Sequence, residues 1–227
     1  MNNIKGAIFD MDGLMIDTEK LYLKFWILAA KDFGYDMTPE HVYSMRSMAR
    51  KFSIPLLKGI FGEDCPTEDI RAHRTELMNE YIKVHGLEVK KGLFTLLDYL
   101  RGKGIKMAVA TATPRERTVE YLRTIGAADY FSAVICGDMI ETGKPAPDIY
   151  LTAARELGLP PQQCAAFEDS PNGIKAAHAA GCFAVMIPDM TQPDEEIKPL
   201  LSAVYDSLDM AVDFFERGNN NERFRDI

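Results

Sequence analysis

The chain has 227 residues, 47% of them hydrophobic, enough to bury the core of one large domain or of a domain carrying an insert. Its net charge of -8, with no dense run of lysine or arginine, excludes a surface built to neutralise nucleic-acid phosphates, so an anionic ligand must be met by local positive charge. No segment approaches the roughly 20 continuous apolar residues of a membrane helix, and Met1 to Lys5 leaves no room for a signal peptide, so a cytoplasmic protein is expected.

The first predicted element is a strand from Gly6 to Phe9, and it runs straight into Asp10-Met11-Asp12. A strand buried on both faces has no use for acids two residues apart, because burying an ionised carboxylate costs several kcal/mol unless a cation or hydrogen bonds compensate. Asp10 and Asp12 therefore ask for a metal. From Met15 to Gly86 the pattern is helical throughout, with Leu21, Phe25 and Leu28 at helical spacing and later Ile70, Leu77, Tyr81 and Val84. Residues 15–86 read as an all-helical cap domain, inserted into a core made of residues 1–14 and 87–227.

In that core, apolar runs alternate with helical patterns. Ile105 to Ala110 precedes a helix from Arg115 to Ile125, Ala133 to Cys136 precedes Pro147 to Leu157, Cys164 to Phe167 precedes Asn172 to Ala180, and Phe183 to Ile187 follows. Near-continuous apolar strands separated by helices predict an α/β fold, a Rossmann-like parallel sheet in a three-layer α/β/α arrangement. Gly126, Gly158 and Gly181 stand where helices end, and Pro147 suits a first helical position. Ligands of such sheets bind beyond the carboxyl ends of the strands, which is where Asp10, Asp12, Thr111 and Glu168-Asp169-Ser170 fall. The four cysteines form no CxxC pair and read as buried free thiols, and the four histidines show no zinc spacing. Gly143-Lys144 fails as a nucleotide-binding P-loop, because Asp138 and Pro145 occupy positions that need Gly and Ser or Thr. The only low-complexity stretch is the polar tail Asn219 to Glu222.

The run Phe9-Asp10-Met11-Asp12-Gly13-Leu14-Met15-Ile16-Asp17-Thr18-Glu19 resembles the first signature motif, DxDGxxxDTE, of the haloacid dehalogenase-like superfamily, in the branch of small phosphatases and β-phosphoglucomutase. The resemblance implies that Asp10 is the nucleophile and Asp12 the general acid and base. It makes Thr111 a phosphate ligand, and Lys144 a point charge against both phosphate and Asp10. It assigns Mg2+ to Asp10, a main-chain carbonyl of Asp12, Asp169, and Glu168 acting nearby or through water. Oxygen ligands suit Mg2+ better than zinc. Asp10, Asp12, Glu168 and Asp169 crowd one site, so without a cation some of them would stay protonated.

Asp17-Thr18-Glu19 is read as a helix start, with acids and Thr favoured by the dipole. A histidine that follows the first motif in the β-phosphoglucomutase pattern is replaced here by Tyr22, which favours hydrolysis over mutase activity. Arg46 and Arg50 are candidates to grip a distal phosphate or carboxylate by bidentate hydrogen bonds, with Lys51 beside them and Ser47 where the family carries a glycine. Arg115 is a further candidate from the core side.

Three functions stay open: a Mg2+-dependent phosphatase of a small phosphorylated metabolite, a phosphosugar mutase of the β-phosphoglucomutase kind, and an idle protein that binds phosphometabolites. A monomer is expected. Dehalogenation proper does not call for Asp12 or a metal site, and a phosphonate-cleaving Schiff base would fall to Lys51 or Lys58 without supporting context.

Overall fold

The computed structural model describes residues 4–46, 48 and 50–216, with Lys51 lacking a described side chain; Ser47 and the polar tail lie outside these residues. Six strands among them form one parallel sheet: β1 (Gly6–Phe9), β2 (Lys106–Thr111), β3 (Ala133–Cys136), β4 (Cys164–Glu168), β5 (Phe183–Met186) and β6 (Ala203–Val204), in the order β3-β2-β1-β4-β5-β6. The α/β fold expected from the alternation is the one observed. β1 lies between β2 and β4, with Gly6 opposite Lys106 and Cys164 and Phe9 opposite Val109 and Phe167. The chain winds outward on one side to β3 and then returns to β4 on the other side of β1. Such a reversal opens a crevice at the carboxyl ends of the strands on either side of it.

The period of two along the strands builds the three layers. Ala7, Phe9, Val109, Ala165, Phe167 and Val185 face one way and pack on α5 (Leu93–Gly102), α6 (Arg115–Thr124) and α9 (Val212–Glu216). Phe9 and Phe167 stack there with ring centres 4.9 Å apart. Burying each ring contributes about 1.5–3 kcal/mol. Ile8, Ala108, Ala110, Ala166, Ala184 and Met186 face the other way and meet α7 (Asp148–Glu156) and α8 (Pro171–Ala179). Alanines dominate this second face, and they let the two helices approach closely.

Gly126, Gly158 and Gly181 all take positive φ just past α6, α7 and α8, the conformation in which a glycine ends a helix without strain. Pro147 stands one residue earlier than expected, at the N-cap of α7. α5, β6 and α9 were not distinguished in the sequence. The cysteines are free and buried, as expected.

Between β1 and β2 the chain forms α1 (Glu19–Asp32), α2 (Pro39–Ser44), α3 (Arg50–Phe61) and α4 (Thr67–His85), with a hydrophobic cluster of their own around Trp26, Ala29, Met45, Leu57 and Ile70. Met15 and Ile16, read from the sequence as part of the helical insert, pack instead in the sheet cluster, where Ile16 bridges Val89. Leu28 and Val84 lie on helices, as their spacing predicts, but they are 38% and 77% exposed. The buried face of α1 passes through Trp26 and Ala29, and that of α4 through Ile70, Arg74 and Met78. Among the described residues no helix is long and apolar enough to cross a membrane.

Candidate active site

Asp10 begins where β1 ends, its N–H donating to Phe167 O at 3.0 Å, so the strand pairing that fixes the sheet also fixes the acid. Thr111 closes β2 and Glu168 closes β4, while Lys144 arrives from the loop after β3. The structure thus brings Asp10, Asp12, Thr111, Lys144, Glu168 and Asp169 together at one end of the sheet, all of them buried.

Lys144 uses its three protons on Asp10 Oδ1 at 2.6 Å, Ala110 O at 3.1 Å and Glu168 Oε1. It stands behind Asp10 and is not on the surface of the cleft. Glu168 is saturated as well: Oε1 also accepts from the Tyr150 hydroxyl at 2.6 Å, and Oε2 accepts from the Asp169 and Ser170 N–H groups and the Ser170 hydroxyl. Asp169 differs. Its Oδ2 meets Arg46, but Oδ1 is buried with no hydrogen-bond partner.

Oxygens of Asp10, Glu168 and Asp169 lie within 4.8 Å of one another. A hard divalent cation that keeps several waters fits this arrangement, because a buried carboxylate oxygen without a partner is otherwise costly. The electrostatics agree. Burial raises the Asp10 carboxyl well above its usual range against the pull of Lys144, and the neighbouring acids add to the rise. Burial raises Asp169 in the same way against Arg46. Lys144 is held protonated: burial opposes its charge, and Asp10 and Glu168 outweigh that cost.

Asp12 is held by hydroxyls on both sides. Thr18 Oγ1 donates to its Oδ1 at 2.7 Å, and Thr113 Oγ1 to its Oδ2 at 2.7 Å, with Thr111 more distant at 3.5 Å. Thr113 was not singled out in the sequence, although residues 111 and 113 leave the strand end on the same side. Asp17-Thr18-Glu19 is corrected in part. Thr18 is the N-cap of α1, but its hydroxyl makes no cap bond and serves Asp12 instead. Glu19 is buried and accepts from Arg46 Nε at 3.1 Å.

The three candidate anion grips take different places. Arg46 is 6% exposed and is engaged by Glu19, Asp169 and Thr191 Oγ1, tying the end of α2 to the sheet. Arg50 lines the cleft at an exposed position and pairs with Glu68. Arg115 points away, donating to Val134 O at 3.3 Å and reaching Met139. Besides Arg46 and Arg50, the cleft, about 380 Å³, is lined by Arg71 and Arg74 of α4 and Arg117 of α6, none of them singled out from the sequence. Tyr22 lies in it too, under the Arg74 guanidinium.

Burial pushes Glu19 up to about 8 against the pull of Arg46, with Asp12 and Asp10 adding to the rise. Between its ordinary value of 4.5 and about 8 the folded protein therefore keeps a proton that the unfolded chain has lost, and metal-free stability falls as pH rises through that window. In thermal melts across this range, Glu19→Gln is expected to flatten part of the decline in Tm seen in the wild type. Equal slopes in the two proteins would place the proton elsewhere.

The family profile described as haloacid dehalogenase-like hydrolase matches residues 4–181. A phosphorylated carbohydrates phosphatase from Thermotoga maritima is 30% identical over 178 residues, which cover 78% of this chain and 82% of the relative. The β-phosphoglucomutase of Bacillus subtilis is 30% identical over 190 residues, covering 80% and 82%. Among solved structures, CbbY from Rhodobacter sphaeroides in complex with phosphate matches with a TM-score of 0.77 at 28% sequence identity, over 92% of this chain and 96% of that one.

Proposed function

This chain belongs to the haloacid dehalogenase-like hydrolases, and from that membership and the cleft at Asp10 we propose a Mg2+-dependent phosphatase that hydrolyses a small phosphorylated metabolite, of the sugar-phosphate type, through an aspartyl-phosphate. The observation that carries the reading is the arrangement of the two acids. Lys144 fixes one oxygen of Asp10, the other accepts no hydrogen bond among the described residues, and two hydroxyls orient Asp12 in the same cleft.

In this reading Asp10 attacks phosphorus, and the bond to the leaving oxygen breaks as the Asp10 oxygen–phosphorus bond forms. Asp12 gives its proton to the leaving alkoxide. A water then attacks the aspartyl-phosphate, surrenders its proton to Asp12, and frees Asp10. The Thr111 hydroxyl serves the transferring phosphoryl group from the end of β2. Lys144 acts from behind, offsetting the burial cost of Asp10 and setting its orientation. Asp10, Asp169 and the Asp12 carbonyl would hold Mg2+, with Glu168 supporting Lys144 on the far side. When bound, Mg2+ neutralises charge on the phosphoryl oxygens.

Helices α1–α4 serve as the cap in this proposal, carried by a monomer that opens to admit substrate and closes to exclude water. The Thermotoga maritima and Bacillus subtilis relatives bear the names of a phosphatase and of a mutase, so membership leaves both chemistries in play. Tyr22 favours hydrolysis: it fills the place that the resemblance gives to a histidine in the mutase, and it lines the cleft beside Asp12.

The test is phosphate release from a panel of phosphorylated metabolites, including β-glucose 1-phosphate, with and without Mg2+. Mg2+-dependent release is the expected result. Conversion of β-glucose 1-phosphate to the 6-phosphate with a bisphosphate primer, without release, would make the protein a mutase. Neither reaction would leave a phosphometabolite-binding protein.

A further inference from the structure

The helical wall of the cleft carries positive charge that the chemistry at Asp10 does not use. Arg71 and Arg74 sit almost one turn apart on α4, both line the cleft, and neither forms an ion pair among the described residues. Arg74 is 4% exposed and occupies a core-facing position of its helix, between Ile70 and Met78. Its Nη1 reaches only the Met78 sulfur at 3.9 Å, it touches the Tyr22 hydroxyl, and its Nε has no partner. Arg71 donates to Ser53 Oγ at 2.6 Å, and its Nε is likewise buried without a partner. Arg117, in the first turn of α6, adds a third guanidinium from the sheet side of the same cleft and makes no ion pair among the described residues.

What holds these groups is aromatic. The Arg74 guanidinium lies 4.8 Å from the Tyr22 ring centre and 5.0 Å from that of Trp26, and Arg71 lies 5.4 Å from Trp26. An aromatic face orients a guanidinium without neutralising it, whereas a carboxylate would cancel its charge. Nearby acids are committed elsewhere or exposed. Glu68 pairs with Arg50, Asp12 is held by Thr18 and Thr113, and Glu116 stands at an exposed lining position. Burial and the neighbouring Arg74 push Arg71 down to about 10, and burial lowers Arg74 in the same direction, as expected of cations awaiting an anion.

We propose that Arg74 and Arg71, with Arg117 across the cleft, bind a second anionic group of the substrate, a phosphate or carboxylate carried away from the bond that breaks at Asp10. The substrate class is then a small bis-anionic metabolite, a sugar bisphosphate or a phosphorylated sugar acid. The site is read from the arginines alone, and only the assignment of its ligand to the substrate rests on the phosphatase reading. Guanidinium forks match the paired oxygens of both groups, and the orphaned Nε atoms supply donors that need no rearrangement of existing bonds.

The experiment compares pairs that differ in the second anion: fructose 1,6-bisphosphate with fructose 6-phosphate, and 6-phosphogluconate with glucose 6-phosphate. For wild type, kcat/KM for phosphate release is expected to favour the bis-anionic member of at least one pair by about 10-fold or more. The phosphate pair and the carboxylate pair separate the two chemistries. Arg74→Met keeps the long stem against Trp26 while removing the charge, and it should collapse the preference mainly through KM; Arg74→Lys should restore part of it. Arg71→Met and Arg117→Met carry the same test should Arg74→Met fail to fold.

Calorimetric titration with fructose 1,6-bisphosphate and fructose 6-phosphate reads the site without turnover. Phosphate release with no preference in either pair, or a preference that survives Arg74→Met, would overturn the anion site and leave the phosphatase reading standing. Bisphosphate binding that depends on Arg74, without release from any compound, would sink the phosphatase reading and keep the site.

Discussion

Asp10→Asn is expected to lower phosphate release by about 10⁴- to 10⁶-fold while the protein stays folded. The amide has nearly the shape of the carboxylate but cannot form the aspartyl-phosphate, so the loss falls on kcat. Stability should not follow activity. Asp10 shares a buried cluster with Glu168 and Asp169, and burial already raises its carboxyl well above the usual range. Removing one negative charge from that group relieves repulsion. Lys144 keeps a counter-charge in Glu168. Tm without metal is therefore expected to hold or rise, and circular dichroism to stay the same. Release above one-hundredth of the wild-type rate would remove Asp10 as the nucleophile, whereas a collapse of Tm would mean that the lost activity reports unfolding.

The sheet and the acid end of the site were legible because their signals are local. Gly6 to Phe9 is apolar at every position and is followed at once by Asp10, so burial and the break in burial both show in the sequence. β3 was likewise bounded correctly at Ala133–Cys136. Thr111, Glu168 and Asp169 each stand at or just past a strand end, and Lys144 in the loop after β3, where the fold concentrates them. What remained hidden depends on which way a side chain turns once the helices pack. Thr18 and Glu19 look like an ordinary helix start, and nothing local in the sequence shows that the Thr18 hydroxyl turns to Asp12. Arg46 and Arg50 share one short segment, yet one is drawn down to Asp169 and the other stays at the rim. Arg74 was passed over because a charged residue interrupts the apolar period of α4. Its position on the buried stripe is the signal that could have found it. Leu28 and Val84 show the reverse case, since they match the period of their helices but are exposed.

Lys144→Met is expected to cost about 3–5 kcal/mol of stability near neutral pH and to slow phosphate release by roughly 100-fold or more. The methionine fills the volume of the lysine stem, so packing changes little and the effect isolates the ammonium. That ammonium is fully buried and bridges Asp10 and Glu168, two acids that otherwise stand close together out of solvent. Without it they must either stay ionised beside one another or take up protons. The sign of the pH dependence follows. Losing the cation raises the folded-state Asp10 carboxyl further above its ordinary range, so the variant's deficit grows as pH rises and shrinks in acid, where that carboxyl is neutral in both states. Urea denaturation at pH 5 and pH 8 reads this difference directly. A double variant, Lys144→Met with Glu168→Gln, removes the second charge along with its partner and should regain part of the stability but not the activity, because Asp10 still lacks the group that offsets its burial cost. Equal stability of Lys144→Met and wild type at pH 8 would mean that the pair contributes nothing net, and the turnover of the variant would then have to be explained through the nucleophile's orientation alone.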